Sequence, residues 1–166
     1  FGAKVIAYDP FVTDPEVYKQ YNVEQVDVET LFRESDIVSL HMNVSEDTKS
    51  FVDGRLIGMM KPTAFLINSA RAAIVERESL YKALKEKKIA GYATDVYHKE
   101  PCCPDTEPLL LLDNVFGTPH LGGTSDEVIK NHTEMMISDL KKLLNKEKPQ
   151  FVLNPQVLDA FFKKEL

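Results

Sequence analysis

Three side chains in this sequence could together run acid–base chemistry on an anion: Arg71, Glu100 and His120. Arginine offers a planar fork that grips a carboxylate at two points. Histidine titrates near neutral pH and can give or take a proton. A carboxylate beside it, here Glu100, fixes the tautomer and favours the protonated ring. Two acids, Asp9 and Asp95, and a further histidine, His41, are candidates at comparable places. Each residue also has a plainer reading. Arg71 could face solvent or serve a structural ion pair, His120 could be structural, and Glu100 could be a solvated loop acid. Asp9-Pro10 could start a turn, and Asp95 could cap one.

The elements around them decide how far those readings separate. Phe65-Leu66-Ile67-Asn68 is an apolar run too short for a helix and long enough for a buried strand. Ser69-Ala70 then delivers Arg71, and charges are seldom fully buried without a partner. Residues 4–8 predict a strand that ends at Asp9, and residues 37–40 one that ends at His41. Residues 90–94 lead to Asp95, and residues 115–118 to Pro119-His120. A brief strand is expected at residues 23–26.

Helices fall between these strands. Asp14-Pro15, Asp27 and Asp53 read as N-caps. Leu80, Ala83 and Leu84 give residues 76–87 a helical period. Thr124-Ser125-Asp126-Glu127 fits a capping box that opens the longest helix, to about residue 145. Val128, His132, Met135, Met136, Leu140, Leu143 and Leu144 form its expected inner side. A last amphipathic segment carries Val157, Leu158, Phe161, Phe162 and Leu166. Strands alternating with helices predict an α/β fold, a doubly wound parallel sheet covered on both faces. Ligands of such sheets bind beyond the carboxyl ends of the strands, where Asp9, His41, Arg71, Asp95 and His120 all fall. An acid at the end of the second strand of a dinucleotide-binding fold accepts from the adenosine ribose, so Asp9 favours NAD over NADP.

Composition narrows the class. A chain of 166 residues is most simply one domain with a good core. A net charge of −6 argues against a general nucleic-acid or anionic-membrane surface, so no nucleic acid or membrane partner is expected. No apolar run approaches a membrane span. Cys102 and Cys103 are adjacent, which suits reduced thiols and a cytoplasmic location better than a disulfide framework. None of the usual metal-ligand spacings occurs, so no metal is expected.

The linked motifs Ile67-Asn68-Ser69-Ala70-Arg71, Ile89-Ala90-Gly91-Tyr92-Ala93-Thr94-Asp95-Val96-Tyr97, Glu100-Pro101 and Thr118-Pro119-His120-Leu121-Gly122-Gly123 resemble the D-isomer-specific 2-hydroxyacid dehydrogenases. Phe1 to Pro10 and Asp113-Asn114-Val115 extend the resemblance over nearly the whole chain. It implies a Rossmann-like fold, an NAD cofactor, a 2-hydroxyacid/2-oxoacid substrate and a homodimer. It also implies roles. Arg71 would hold the substrate carboxylate, His120 would be the general acid/base, and Glu100 its partner. Asp9 would hold the adenosine ribose and Asp95 the nicotinamide carboxamide. Backbone near Ala70 and Gly122-Gly123 would face the nicotinamide, and the segment at His41 would line the cofactor cleft. Departures from the pattern are Asn43 where proline is usual, Ala72-Ala73 where two glycines are common, and Lys87 where many relatives end a helix with glycine.

A Gly-x-Gly-x-x-Gly loop is absent from the sequence. In the family that loop lies just upstream of a strand like residues 4–8, and Phe1-Gly2 looks like the tail of its helix. The expectation is therefore a sheet lacking its first strand and glycine-rich loop, within a longer polypeptide. Residues 1–149 would be the C-terminal part of the NAD-binding domain, and residues 150–166 would return to the substrate domain. Two other readings compete: a non-catalytic NAD-responsive regulator on the same scaffold, and a formate dehydrogenase. The second characteristically has glutamine where Glu100 stands, and the first leaves the trio of Arg71, Glu100 and His120 unused.

Overall fold

The computed structural model describes residues 2–164. Phe1 and Leu166, assigned above to a helix tail and the last apolar face, lie outside the described residues. The chain forms two compact units, one running through His120 and the other beginning at Leu121.

The first unit alternates strand and helix as its pattern requires: β1 (Val5–Ala7), α1 (Pro15–Gln20), β2 (Val23–Gln25), α2 (Val28–Glu34), β3 (Ile37–Leu40), α3 (Gly54–Met59), β4 (Phe65–Asn68), α4 (Arg77–Lys85), β5 (Gly91–Thr94) and β6 (Val115–Gly117). Local chemistry sets the helix starts. Asp14, Asp27 and Asp53 each accept a backbone N–H of the first turn, from Glu16, Thr30 and Leu56. All strand pairing is parallel, but the strands form two sheets, not one. One holds β1 and β2; the other has the order β3-β4-β5-β6. No described strand joins β1 to β3, so each sheet ends there on an open edge.

The four-stranded sheet buries one face. Val38, Leu66 and Tyr92 lie in register across β3, β4 and β5 and pack with Leu56, Leu80 and Leu84 of α3 and α4. The opposite face is open among the described residues: Ile37 is 61%, Phe65 49% and Phe116 71% exposed. Alternation puts every second residue on that other face.

The second unit holds α5 (Asp126–Leu144) and α6 (Leu158–Lys164). Ser125, not Thr124, is the N-cap: its hydroxyl accepts from Val128 N–H, while the Thr124 hydroxyl donates to the Leu121 carbonyl. The expected inner side of α5 is not buried; Met136 and Leu144 are largely exposed, and no residue of the helix is buried. Phe161 and Phe162 pack edge to face within α6.

Two departures from the family pattern have a backbone outcome. Ala72 and Ala73 have no positive φ, so the turn after Arg71 does not need glycine. Lys87 does adopt the left-handed conformation, with φ +53, at the end of α4. There the Lys88 N–H closes back to the Ala83 carbonyl, the helix ending that glycine favours. Its exposed pair with Asp113 adds little. Lys87→Gly should therefore raise unfolding free energy by about 1 kcal/mol, measured by urea denaturation. An unchanged or lower midpoint would contradict the strain.

Candidate active site

The carboxyl end of the four-stranded sheet gathers most of the candidate residues of the first unit. At the end of β4, Asn68 is fully buried. Its amide donates to the Arg71 carbonyl (3.0 Å), and its side-chain oxygen accepts the Ala70 N–H (3.0 Å). One carboxamide thus folds the turn that presents Arg71. The Asn68 backbone carbonyl also accepts from the Thr94 hydroxyl and the Asp95 N–H, tying the ends of β4 and β5 together.

Arg71 is exposed and donates one guanidinium N–H to its neighbour's carbonyl, Ala70 O, at 2.6 Å. The remaining donors of the fork are open to an anion. His41 follows β3, with its Nε2 2.9 Å from the Ser39 hydroxyl. His41, Met42, Asn43, Ser69, Ala70 and Arg71 line a polar cavity of about 170 Å³. The segment beyond Asn43 is ordered by Thr48, whose hydroxyl donates to the Asn43 carbonyl, so the chain turns there without proline.

Glu100 and His120 meet. His120 Nδ1 lies 2.8 Å from Glu100 Oε2, and the Tyr97 N–H donates to Glu100 Oε1 at 3.1 Å. The imidazole bond, then the Tyr97 amide, then the His120 and Arg71 charges hold the Glu100 carboxyl below its usual range. Arg71 is thus near enough to act electrostatically on Glu100. His120 itself sits in the left-handed region, φ +55, where a residue with a Cβ is strained. Asp95 Oδ1 accepts the Thr118 hydroxyl at 2.5 Å, so part of its carboxylate is engaged on the protein side.

Asp9 follows β1. One oxygen accepts the Phe11 N–H at 2.8 Å, the turn-starting role. The same carboxylate keeps acceptor capacity for a ribose. Gly122 and Gly123 belong to the second unit. Among the described residues, no group of three or more His, Cys, Asp or Glu side chains could hold a metal ion, and no helix is long and apolar enough to cross a membrane. Cys102 and Cys103 are free thiols.

Spacing alone did not single out Asn68, Tyr97, Thr118 or the pair Arg77–Glu107. Arg77 donates to the Thr106 carbonyl (2.9 Å) and pairs with the buried Glu107 (3.3 Å), anchoring the far end of the loop that begins at Glu100. The only sequence signal was an acid beside an apolar Pro108-Leu109-Leu110 run.

With this geometry in hand, likeness to known proteins is specific. Residues 1–122 match the family model described as D-isomer specific 2-hydroxyacid dehydrogenase, NAD binding domain. The chain belongs to that family. It is 37% identical over 155 residues to the D-3-phosphoglycerate dehydrogenase of Methanocaldococcus jannaschii, covering 93% of this chain and 29% of that protein. It is 38% identical to the glyoxylate reductase of Korarchaeum cryptofilum, covering 95% and 47%. The D-lactate dehydrogenase of Lactobacillus jensenii, solved with NAD+, superimposes with a TM-score of 0.81 at 31% identity, covering 92% of this chain and 48% of that one. The chain spans half or less of the length of these relatives. The fold is the Rossmann-type NAD-binding domain, and the cofactor of the family is NAD.

The residues present fit that cofactor. A polar cavity opens at the ends of β3 and β4, and an acid with spare acceptor capacity follows β1. A group whose folded pKa is lowered stabilises the fold above its unfolded pKa, ordinarily 4.5 for Glu100. That contribution is lost as pH falls through the lowered folded value. His120→Ala should therefore move the Glu100 carboxyl midpoint upward and weaken this acid dependence, as read by ¹³C NMR titration. A midpoint that stays put would disprove the pairing.

Proposed function

We propose that this chain carries the cofactor side of an NAD-dependent oxidoreductase that interconverts a D-2-hydroxyacid and a 2-oxoacid. The observation that carries the reading is the 2.8 Å contact between His120 and Glu100, with the Arg71 charge acting on the same carboxylate. An anion anchor beside an oriented acid/base is what a charged carbonyl substrate needs.

In the reductive direction Arg71 grips the substrate carboxylate and stabilises negative charge developing on the carbonyl oxygen. His120, with Nδ1 bound to Glu100, presents Nε2 and gives its proton to that oxygen. Glu100 holds the ring in this orientation and offsets its positive charge. Asp9 holds the adenosine ribose; Asp95, the backbone at Ala70 and that at Gly122-Gly123 bind the nicotinamide end; His41 lines the cleft. NAD(H), when bound, supplies or accepts the hydride. Residues 1–149 are assigned to the cofactor domain and 150–166 to a return toward a substrate domain. The protein is assigned to the cytoplasm and to a homodimer.

The test uses the full polypeptide that carries this segment. Oxidation of NADH should depend on a 2-oxoacid, and Arg71→Lys should lower kcat/KM about a hundredfold, because a point charge does not replace the fork. NADH oxidation that no 2-oxoacid stimulates, or a lysine variant with parental kinetics, would remove the reading.

A further inference from the structure

Thr118 links His120 to the rest of the rim. Its carbonyl accepts two donors: the His120 N–H at 3.0 Å and the Tyr97 phenol at 2.9 Å. The first closes the tight turn in which His120 takes its left-handed φ. Such a conformation persists only where the surroundings over-determine it. Thr118 is held from the other side by its N–H to the Thr94 carbonyl and its hydroxyl to Asp95. The same Tyr97 whose phenol reaches this turn donates its backbone N–H to Glu100 Oε1.

We propose that Tyr97 is a positioning residue for the acid–base pair, holding Glu100 through its amide and the His120 turn through its phenol. One residue thereby fixes both partners of a contact that the sequence separates by the whole of β6 and its preceding loop. Gly117 is the other half of the device. It lies under the phenol, and a Cβ at that position would collide with Tyr97 Oη and crowd Leu110 Cδ2 at 2.8 Å. The Leu110 methyl can swing aside, but the phenol cannot move and still reach Thr118. The close approach therefore requires glycine at 117. Burial, first, and then the neighbouring Cys102 push the Tyr97 phenol up to about 12, so it remains an O–H donor at any working pH.

The kinetic arm of the test rests on the dehydrogenase reading; the NMR arm does not. In the full polypeptide, Tyr97→Phe keeps the ring and its packing and removes only the donor. The Glu100 carboxyl midpoint, which faces His120, the Tyr97 amide and Arg71, should rise toward 4.5 as the His120 turn loosens. Turnover should fall about tenfold, the loss of about one hydrogen bond, with KM for the 2-oxoacid nearly unchanged. Gly117→Ala should cause a similar loss, and should add little in the Tyr97→Phe background, where the colliding oxygen is gone. A Glu100 midpoint unmoved by Tyr97→Phe, or losses from the two substitutions that simply add, would overturn the proposal. A parent that reduces no 2-oxoacid would fail the dehydrogenase reading alone, leaving the NMR titration to decide the role of Tyr97.

Discussion

The rim of the four-stranded sheet depends on one buried carboxamide. Asn68 has no exposed surface, and its side chain satisfies the Arg71 carbonyl and the Ala70 N–H at once. Leaving the buried Asn68 amide unpaired would cost about 1–3 kcal/mol. The turn after β4 is therefore favoured in the shape that pairs this amide. The Asn68 backbone carbonyl carries the constraint sideways, through the Thr94 hydroxyl and the Asp95 N–H, into β5. Thr118 carries it onward, donating to the Thr94 carbonyl and to Asp95. From Arg71 to His120 the candidate residues hang on a continuous chain of hydrogen bonds across the strand ends.

That chain explains why a strained residue can sit at the centre of the candidate site. His120 in a left-handed conformation is costly for any side chain with a Cβ. The neighbours that offset the cost are polar and fixed: Thr118, Tyr97 and Glu100. The apolar core beneath them, built by Leu66, Leu80 and Leu84, supplies a floor that does not yield. The candidate site lies on the carboxyl rim, where Thr94 and Gly117 stand in register across β5 and β6.

Much of this was legible where the interactions are local. Asp14, Asp27 and Asp53 reach N–H groups two or three residues on, so spacing alone places those caps. The strand ends at Asp9, His41 and Asp95 follow from short apolar runs bounded by polar residues. The left-handed Lys87 was visible as a helix end without its glycine. What spacing could not show is long-range. Thr124 and Ser125 are both able caps, and the choice fell to Ser125 where the Thr124 hydroxyl turned to Leu121. The apolar residues of α5 gave a helical period, but period says nothing of whether a partner surface is present to bury them. The split into two sheets, in contrast, matches the expectation of a sheet lacking its first strand. Nothing in the spacing of Tyr97 points to its partner Thr118, 21 positions away.

The central claim is that Arg71 and His120 address one small substrate from one rim. A crystal structure of the full polypeptide with oxamate, an unreactive isostere of a 2-oxoacid, tests it directly. The oxamate carboxylate should make a two-point contact with the Arg71 guanidinium, with its carbonyl oxygen within hydrogen-bond reach of His120 Nε2. Oxamate bound away from both residues, or held by Arg71 with His120 turned from it, would separate the anion anchor from the proposed proton donor and rule out their joint role.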